Sequence, residues 1–163
     1  MTAHINIGSN LGHRAEQIAR AVSLLDPSVG RVERVSAPFM SAAWGYESSG
    51  EFINVGVNVS TRLDAAAIVD RLQAIERTID PDGCHRDADG NYADRRIDLD
   101  LICLDDADVS EENVTVPHPR MHLREFVLVP MAEIMPGWTH PRLGITVEKI
   151  LENLRNKTGG QAV

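Results

Sequence analysis

The sequence predicts an α+β fold in which helices cover one face of an antiparallel sheet, with further strand and helix elements appended at the C-terminal end. Three observations support this prediction. Segments with strand periodicity and segments with helical periodicity follow one another in the order β α β β α β. Residues 52–60 have an apolar residue at every second position (Ile53, Val55, Val57 and Val59), as expected of a strand with one buried face. Residues 68–79 repeat apolar side chains at helical spacing and end at a proline-containing turn.

The first predicted elements occupy the N-terminal quarter of the chain. Residues 3–7 alternate and then meet Gly8-Ser9-Asn10, which indicates a strand that enters a turn. Residues 15–25 carry apolar side chains at helical spacing, and Asp26-Pro27 is expected to stop that helix. Residues 31–40 alternate again and predict a second strand.

The central elements are bounded by polar segments. A loop rich in Gly and Ser at 45–50 precedes the strand at 52–60. Thr61 or Asp64 can cap the helix that follows, because a short side-chain oxygen satisfies the first free amides of a helix. A polar loop at 82–94 then leads to another strand. The Gly, Ser and Asp content of both loops predicts that they are mobile.

The last third supplies the appended elements, each defined by a short pattern between turn residues. They are an acidic, solvated turn at 105–112, an edge strand at 114–116, a helix at 123–134 that contains Pro130, and a last helix at 146–154. We find no internal repeat and no linker, so residues 1–156 are predicted to be one domain, with a flexible tail at 157–163. This order is that of the split βαβ, ferredoxin-like arrangement.

Composition excludes several classes of function. A formal net charge of −8 argues against general nucleic-acid or anionic-membrane binding, which needs a basic surface. No apolar run approaches the roughly 20 residues needed to cross a bilayer, and no secretory signal is recognisable. Cys84 and Cys103 form no metal or redox motif, which favours a reducing, cytoplasmic location.

Two aspartates, Asp98 and Asp100, interrupt an apolar strand. Because successive side chains of a strand point to opposite faces, both carboxylates project from one face, about 6.6 Å apart along the backbone. The side chains expected to point into the core are Ile97, Leu99, Leu101 and Cys103. Two carboxylates this close repel each other unless a cation lies between them. Oxygen ligands without His or Cys suit Mg²⁺, which also binds substrate phosphates, so the segment predicts phosphoryl chemistry.

Four segments together carry a resemblance to one known family. They are Asn6-Ile7-Gly8-Ser9-Asn10-Leu11-Gly12, Phe52-Ile53-Asn54, Tyr92-Ala93-Asp94-Arg95-Arg96-Ile97-Asp98-Leu99-Asp100-Leu101, and Pro117-His118-Pro119-Arg120-Met121-His122-Leu123-Arg124-Glu125-Phe126-Val127-Leu128. In this order, from about residue 4 to about residue 154, the chain resembles the 6-hydroxymethyl-7,8-dihydropterin pyrophosphokinases of folate biosynthesis. The last two segments make the resemblance specific, whereas a lone Asp-x-Asp would be weak.

The resemblance implies transfer of a diphosphate from ATP to the hydroxymethyl group of a reduced pterin, with release of AMP. It implies two Mg²⁺ ions held by Asp98 and Asp100, and catalytic arginines at Arg86, Arg95 and Arg124. The residues implied at the ATP side are Gln73, Glu76, Leu101, Thr115, His118 and Arg124. Those implied at the pterin side are Ser41, Ala42, Ala43, Trp44, Asn54, Tyr92 and Phe126. The loops at 45–50 and 82–94 are expected to close over both substrates and exclude water.

The chain departs from the family pattern at two places, and two other functions stay open. The segment Gly83-Cys84-His85-Arg86 replaces a Gly-Arg-x-Arg loop, and residues 41–44 replace a more proline-rich segment. The same aspartates could serve another Mg²⁺-dependent phosphotransferase or hydrolase. Alternatively, the chain could be a non-catalytic ferredoxin-like module that binds a nucleotide or a pterin. The expected partners are small molecules, with no nucleic acid and no membrane, and the chain is expected to be a monomer, a dimer being the alternative.

Overall fold

The computed structural model describes residues 1–41, 51–83 and 97–161. The described residues form seven strands, four α-helices and one 3₁₀ turn. They are β1 (Thr2–Ser9), α1 (Arg14–Ser28), β2 (Arg31–Val35), β3 (Phe39–Ser41), β4 (Phe52–Ser60), α2 (Ala65–Ile79), β5 (Asp98–Leu104), β6 (Val109–Glu111), β7 (Val114–Val116), a 3₁₀ turn (Met121–Leu123), α3 (Glu125–Ile134) and α4 (Val147–Gln161).

The main sheet is antiparallel throughout, with strand order β2-β4-β1-β5 and with β3 paired to β4 beyond the end of β2. The predicted strand at 31–40 is therefore two short strands on one edge of β4. A separate hairpin pairs β6 with β7, so part of the predicted acidic turn is a strand. Among the described residues, none of the helices is both long and apolar enough to span a membrane. The α+β, ferredoxin-like prediction is confirmed.

The principal core lies between the sheet and the two helices α1 and α2. Alternate residues of β1, β4 and β5 point to this side, as do the apolar stripes of both helices. The predicted cap of α2 is Asp64, whose Oδ1 accepts a hydrogen bond from the Ala67 amide at 2.8 Å. Thr61 instead donates its hydroxyl to the Val29 carbonyl oxygen at 2.6 Å. The helix α1 includes Pro27 in its last turn rather than ending before it.

The helices α1 and α2 share one face of the sheet, as expected for the ferredoxin-like part, and the appended helices lie on the opposite face. A second apolar cluster joins the end of β5 to α3 and α4. The helix α3 contains Pro130, as predicted, and approaches β4 closely: a Cβ atom built on Gly56 would lie 3.1 Å from Pro130 Cβ. The last helix continues to Gln161, well beyond the predicted 146–154.

One core prediction was wrong: Cys103 does not lie on the side of Leu99 and Leu101. Leu101 is opposite Ile5 in β1, but Cys103, not Ile102, is opposite His4, because the register shifts there. An extra residue in one strand reverses the side to which later residues point. Cys103 therefore packs in the second cluster with Ile102, on the side of Asp98 and Asp100.

Candidate active site

The face of the sheet opposite α1 and α2 is polar. In the register of the adjacent strands β4, β1 and β5, Gly8 of β1 lies opposite Asn54 of β4 on one side and opposite Asp98 of β5 on the other. Two residues earlier in β1, Asn6 lies opposite Asp100 of β5. Neighbouring strands are about 4.8 Å apart, so the Asn54 and Asp98 backbones are separated by roughly 10 Å, with a residue that has no side chain between them.

The two aspartates are half-buried at the start of β5, with Leu99 between them in the core. The amide of Leu99 faces away from β1, and it donates a hydrogen bond to Glu76 Oε1 of α2 at 2.8 Å. This contact ties the helix to the strand at the position where the carboxylates emerge. The aspartates are thus held by the sheet on one side and by α2 on the other.

A cleft of about 460 Å³ opens beside the carboxylates, between α2, β5 and the β6–β7 hairpin. This volume is typical of a small-molecule site. The predicted residues that line it are Gln73, Glu76, Asp98, Asp100, Leu101, Thr115 and His118. Gln73 is exposed, whereas Leu101 is buried and also belongs to the core. The structure therefore brings both aspartates together with five residues that the resemblance placed near ATP.

Hydrogen bonds to the backbone hold both the amide and the ring of His118 in place. Its amide donates to the Ile102 carbonyl oxygen at 2.8 Å, and its Nδ1 accepts from the Arg120 amide at 3.1 Å. Burial, together with the positive charges of Arg124 and Arg120, lowers the pKa of His118 to about 4. The ring is therefore neutral at physiological pH, and because Nδ1 is an acceptor, the ring proton is on Nε2.

The predicted pterin side lies across Gly8 from the aspartates. Asn54 is buried, with 2% exposure, and its Nδ2 donates to Ser41 Oγ at 2.9 Å. Phe126, at the start of α3, is half-buried, and the guanidinium carbon of Arg124 lies 5.6 Å from its ring centroid. An amide and an aromatic ring are the two kinds of group that suit a flat heterocycle with donor and acceptor edges.

A family model described as 7,8-dihydro-6-hydroxymethylpterin-pyrophosphokinase (HPPK) matches residues 4–136. The chain belongs to the HPPK family. A relative from Synechocystis, named 2-amino-4-hydroxy-6-hydroxymethyldihydropteridine pyrophosphokinase, is 33% identical over 93% of this chain and 75% of its own length. A Bacillus subtilis protein of the same name is 34% identical over 81% of this chain and 77% of its own length.

Solved structures agree with the HPPK fold. A Plasmodium falciparum HPPK-DHPS triple mutant with SDX-DHP aligns with 99% of this chain at a TM-score of 0.76 and 13% identity. This chain spans 45% of that solved chain, so the likeness concerns one part of the larger protein. At this identity the comparison supports the fold alone.

Several HPPK residues inferred from the sequence lie outside the described residues. They are Ala42, Ala43, Trp44, Arg86, Tyr92 and Arg95, together with Cys84. Ser41 is described as the last residue of β3, and Gly83 as the last before the second gap. The loops at 45–50 and 82–94 fall largely in the same two gaps, so their expected closure stays a prediction.

The donor set at the aspartates fits Mg²⁺. Within residues 1–41, 51–83 and 97–161, no group of three or more His, Cys, Asp or Glu side chains could hold a metal ion unaided. Asp98 and Asp100 instead present two half-buried carboxylates on one face of β5. Mg²⁺ is commonly bound in this way, through one or two carboxylates plus substrate phosphates and water, rather than in a cage of protein ligands.

The structure adds cleft residues that the sequence reasoning missed. Glu111, the last residue of β6, and Glu112 and Asn113 of the turn that follows it line the cleft. From the sequence, the two acids are expected in a solvated turn, and only the pairing of β6 with β7 brings them to the cleft that Asp98 also lines. Arg120 lies in the HPPK motif, where the sequence assigns it no role, but its positive charge contributes to the lowered pKa of His118. Its position two residues after that histidine was the available signal.

Proposed function

We propose that this chain transfers a diphosphate from ATP to the hydroxymethyl group of 6-hydroxymethyl-7,8-dihydropterin, releasing AMP, as a step of folate biosynthesis. Membership of the HPPK family and the names of the relatives support this reaction. The single structural observation that carries it is the row formed by Asn54, Gly8 and Asp98 across three strands.

This row has the dimensions that the reaction needs. A pterin held at Asn54 would direct its hydroxymethyl group across Gly8, which itself has no side chain, towards the aspartates. ATP bound in the cleft would bring its phosphates to Asp98 and Asp100. Roughly 10 Å across two strand spacings accommodates one acceptor and the reacting phosphate in line.

Two Mg²⁺ ions are assigned in this proposal to Asp98 and Asp100. Bound there, the ions would neutralise charge on the phosphates and favour the attacking and leaving oxygens of an in-line displacement. The carboxylates are half-buried and fixed by β5 and by Glu76, so their positions do not have to reorganise during the reaction.

The remaining residues bind and orient the substrates. We assign Gln73, Glu76, Leu101 and Thr115 to the nucleotide, and Ser41, Ala42, Ala43, Trp44, Asn54, Tyr92 and Phe126 to the pterin. His118 would donate Nε2–H to a phosphate oxygen as a neutral group. The positive charges that stabilise the transferring diphosphate are assigned to Arg86, Arg95 and Arg124, as in other phosphoryl transfers that depend on positioning and charge.

The bond changes in this reaction balance without a further co-reactant. The pterin hydroxyl oxygen forms a bond to the β-phosphorus of ATP. The bond between that phosphorus and the oxygen bridging to the α-phosphorus breaks, and AMP leaves. The hydroxyl proton is released to solvent.

We also propose that residues 1–156 act as one catalytic domain, and that residues 157–163, which begin within α4, form a tail. The chain is proposed to work as a cytoplasmic monomer on small molecules. The buried, unpaired thiol of Cys103 is consistent with a reducing compartment. Sedimentation of the purified chain with and without both substrates tests the monomer directly.

The deciding experiment incubates the full chain with ATP, MgCl₂ and hydroxymethyl dihydropterin and resolves the nucleotide products. We expect AMP to form in equal amount to pterin diphosphate, only when both the metal and the pterin are present. Formation of ADP or inorganic phosphate would favour another Mg²⁺-dependent phosphotransferase or hydrolase. ATP binding without any AMP would favour a non-catalytic module.

A further inference from the structure

A buried amide on β1, Asn6, lies between the two halves of the proposed site. It is directly opposite Asp100 in β5 and diagonally opposite Asn54 in β4. The side chain is 4% exposed, and its Nδ2 donates to Asn54 Oδ1 at 3.4 Å. Its own Oδ1 is buried and has no hydrogen-bond partner among the residues that the structure describes.

The buried, unpaired oxygen of Asn6 lowers the stability of the fold. A buried acceptor without a donor carries the cost of removing it from water, and the long bond through Nδ2 recovers little of it. A leucine, which has nearly the same shape, would avoid that cost. Because buried unpaired polar atoms are rare in native proteins, the amide at position 6 calls for a reason other than packing.

The contact of Asn6 with Asn54 supplies that reason. Ser41 accepts from Nδ2 of Asn54, and Asn6 donates to Oδ1, so the amide is held at both ends. On its third side, a Cβ atom built on Gly8 would lie 2.9 Å from Asn54 Oδ1, which shows how closely the amide sits over that glycine. Held in this plane, Asn54 has one N–H and one lone pair left for a ligand.

We propose that Asn6 is a positioning residue for the acceptor substrate: it fixes the plane of the Asn54 amide so that the pterin meets a donor and an acceptor already in place. This inference rests on the proposed function, which assigns Asn54 to the pterin. Preorganisation of this kind lowers the cost of binding, because the free amide no longer has to be ordered by the ligand. Asn6 does not line the cleft assigned to the nucleotide, so nucleotide binding is expected to be left unchanged.

The same sheet face provides a matched comparison in Asn58. Asn58 is 6% exposed, and its side chain contacts His4 Nδ1 at 2.7 Å and the Ile134 carbonyl oxygen at 3.4 Å. It is thus an amide of similar burial whose partners belong to the packing of α3 on the sheet. It lies opposite His4, two residues along the register from Asn6, and farther from the aspartates. Substitution of Asn58 therefore shows the effect expected of an amide whose role is purely structural.

The experiment compares the full-length Asn6→Leu, Asn58→Leu and Asn54→Ala variants, measuring KM for the pterin, KM for ATP and the urea midpoint of unfolding. For Asn6→Leu we expect KM for the pterin to rise about three- to tenfold, the range of one lost hydrogen bond, with KM for ATP within twofold of the parent. The urea midpoint is expected to stay equal or to rise. Asn58→Leu is expected to lower the midpoint and to leave both KM values unchanged.

Three results would overturn the proposal. The first is an unchanged KM for the pterin in Asn6→Leu while Asn54→Ala raises it, which leaves the proposed function intact. The second is a parallel rise of both KM values with a lower midpoint, which is the signature of a structural role. The third is an unchanged KM for the pterin in Asn54→Ala, which removes the pterin assignment of Asn54 and this inference with it. If leucine prevents folding, Asn6→Ala carries the same expectations for both KM values.

Discussion

The Glu76 carboxylate accepts a hydrogen bond from the Leu99 amide at 2.8 Å, and Leu99 lies between the two aspartates of β5. The strand is at the edge of the main sheet, so this amide has no neighbouring strand to pair with. A side chain from α2 takes the place of that neighbour. Glu76 therefore fixes the strand segment that carries Asp98 and Asp100, in addition to lining the cleft.

We expect Glu76→Ala to lower the urea unfolding free energy by about 2 kcal/mol, because a charge-assisted hydrogen bond to a half-buried amide is lost. The affinity for Mg²⁺-ATP should fall together with stability. Glu76→Gln keeps an acceptor oxygen and is expected to retain most of both quantities. Asp70→Ala, an exposed acid on the same helix, is the control. Equal behaviour of the Ala and Gln variants at position 76 would contradict the positioning role.

The sequence predicted the sheet and the aspartates, because both depend on local periodicity. Alternation in residues 52–60 and at Asp98 and Asp100 is a property of the strand itself. The order of the elements along the chain then leaves only a few possible topologies for the sheet.

The features that were missed depend on pairing between distant segments. The register shift that moves Cys103 to the other side of the sheet exists only in the pairing of β5 with β1. The position of α3 on the polar face follows from tertiary packing at Gly56, and the place of Glu111 in the cleft follows from the β6–β7 hairpin. Asn6 carried no signal in the sequence, since its significance lies in a contact with Asn54 on another strand.

The carboxylate pair should be indispensable for turnover. We expect Asp98→Ala and Asp100→Ala each to lower kcat at least about 10³-fold, which corresponds to roughly 4 kcal/mol of barrier. Removal of either carboxylate takes away half of the protein's ligands to the proposed ions. AMP release as a function of Mg²⁺ concentration measures the effect. Asp106→Ala, an exposed acid just beyond the strand, should behave like the parent. Near-normal rates in either aspartate variant would exclude the metal assignment.

Acid should destabilise the protein through His4. Burial lowers the pKa of His4 to about 4, from an ordinary value of 6.5, so the folded state favours the neutral ring. Its contribution to stability is complete above pH 6.5 and is lost as the pH falls from 6.5 towards 4. Between pH 7 and pH 5 this single group accounts for about 2 kcal/mol.

The measurement is the urea midpoint at several pH values for the parent and for His4→Gln, which carries no titrating ring. The variant should lose less stability than the parent over this interval. His13→Gln, a change at an exposed histidine, should follow the parent. The same pH profile in all three proteins would show that His4 does not govern acid sensitivity.

The absence of a side chain at position 8 is the last requirement of the site. A Cβ atom there would lie 2.9 Å from Asn54 Oδ1 and 3.6 Å from Phe52 Cδ1, so Gly8→Ala must displace the amide that we assign to the pterin. Displacements of this size in a positioned group can reduce rates about tenfold to a hundredfold. We expect kcat/KM for the pterin to fall by that amount while KM for ATP changes little, because the cleft does not include position 8. Gly137→Ala is the matched control, since a Cβ atom there meets nothing within 4 Å. An unchanged kcat/KM in Gly8→Ala would mean that the acceptor does not cross the sheet at this point, and the row from Asn54 to Asp98 would lose its significance for the reaction.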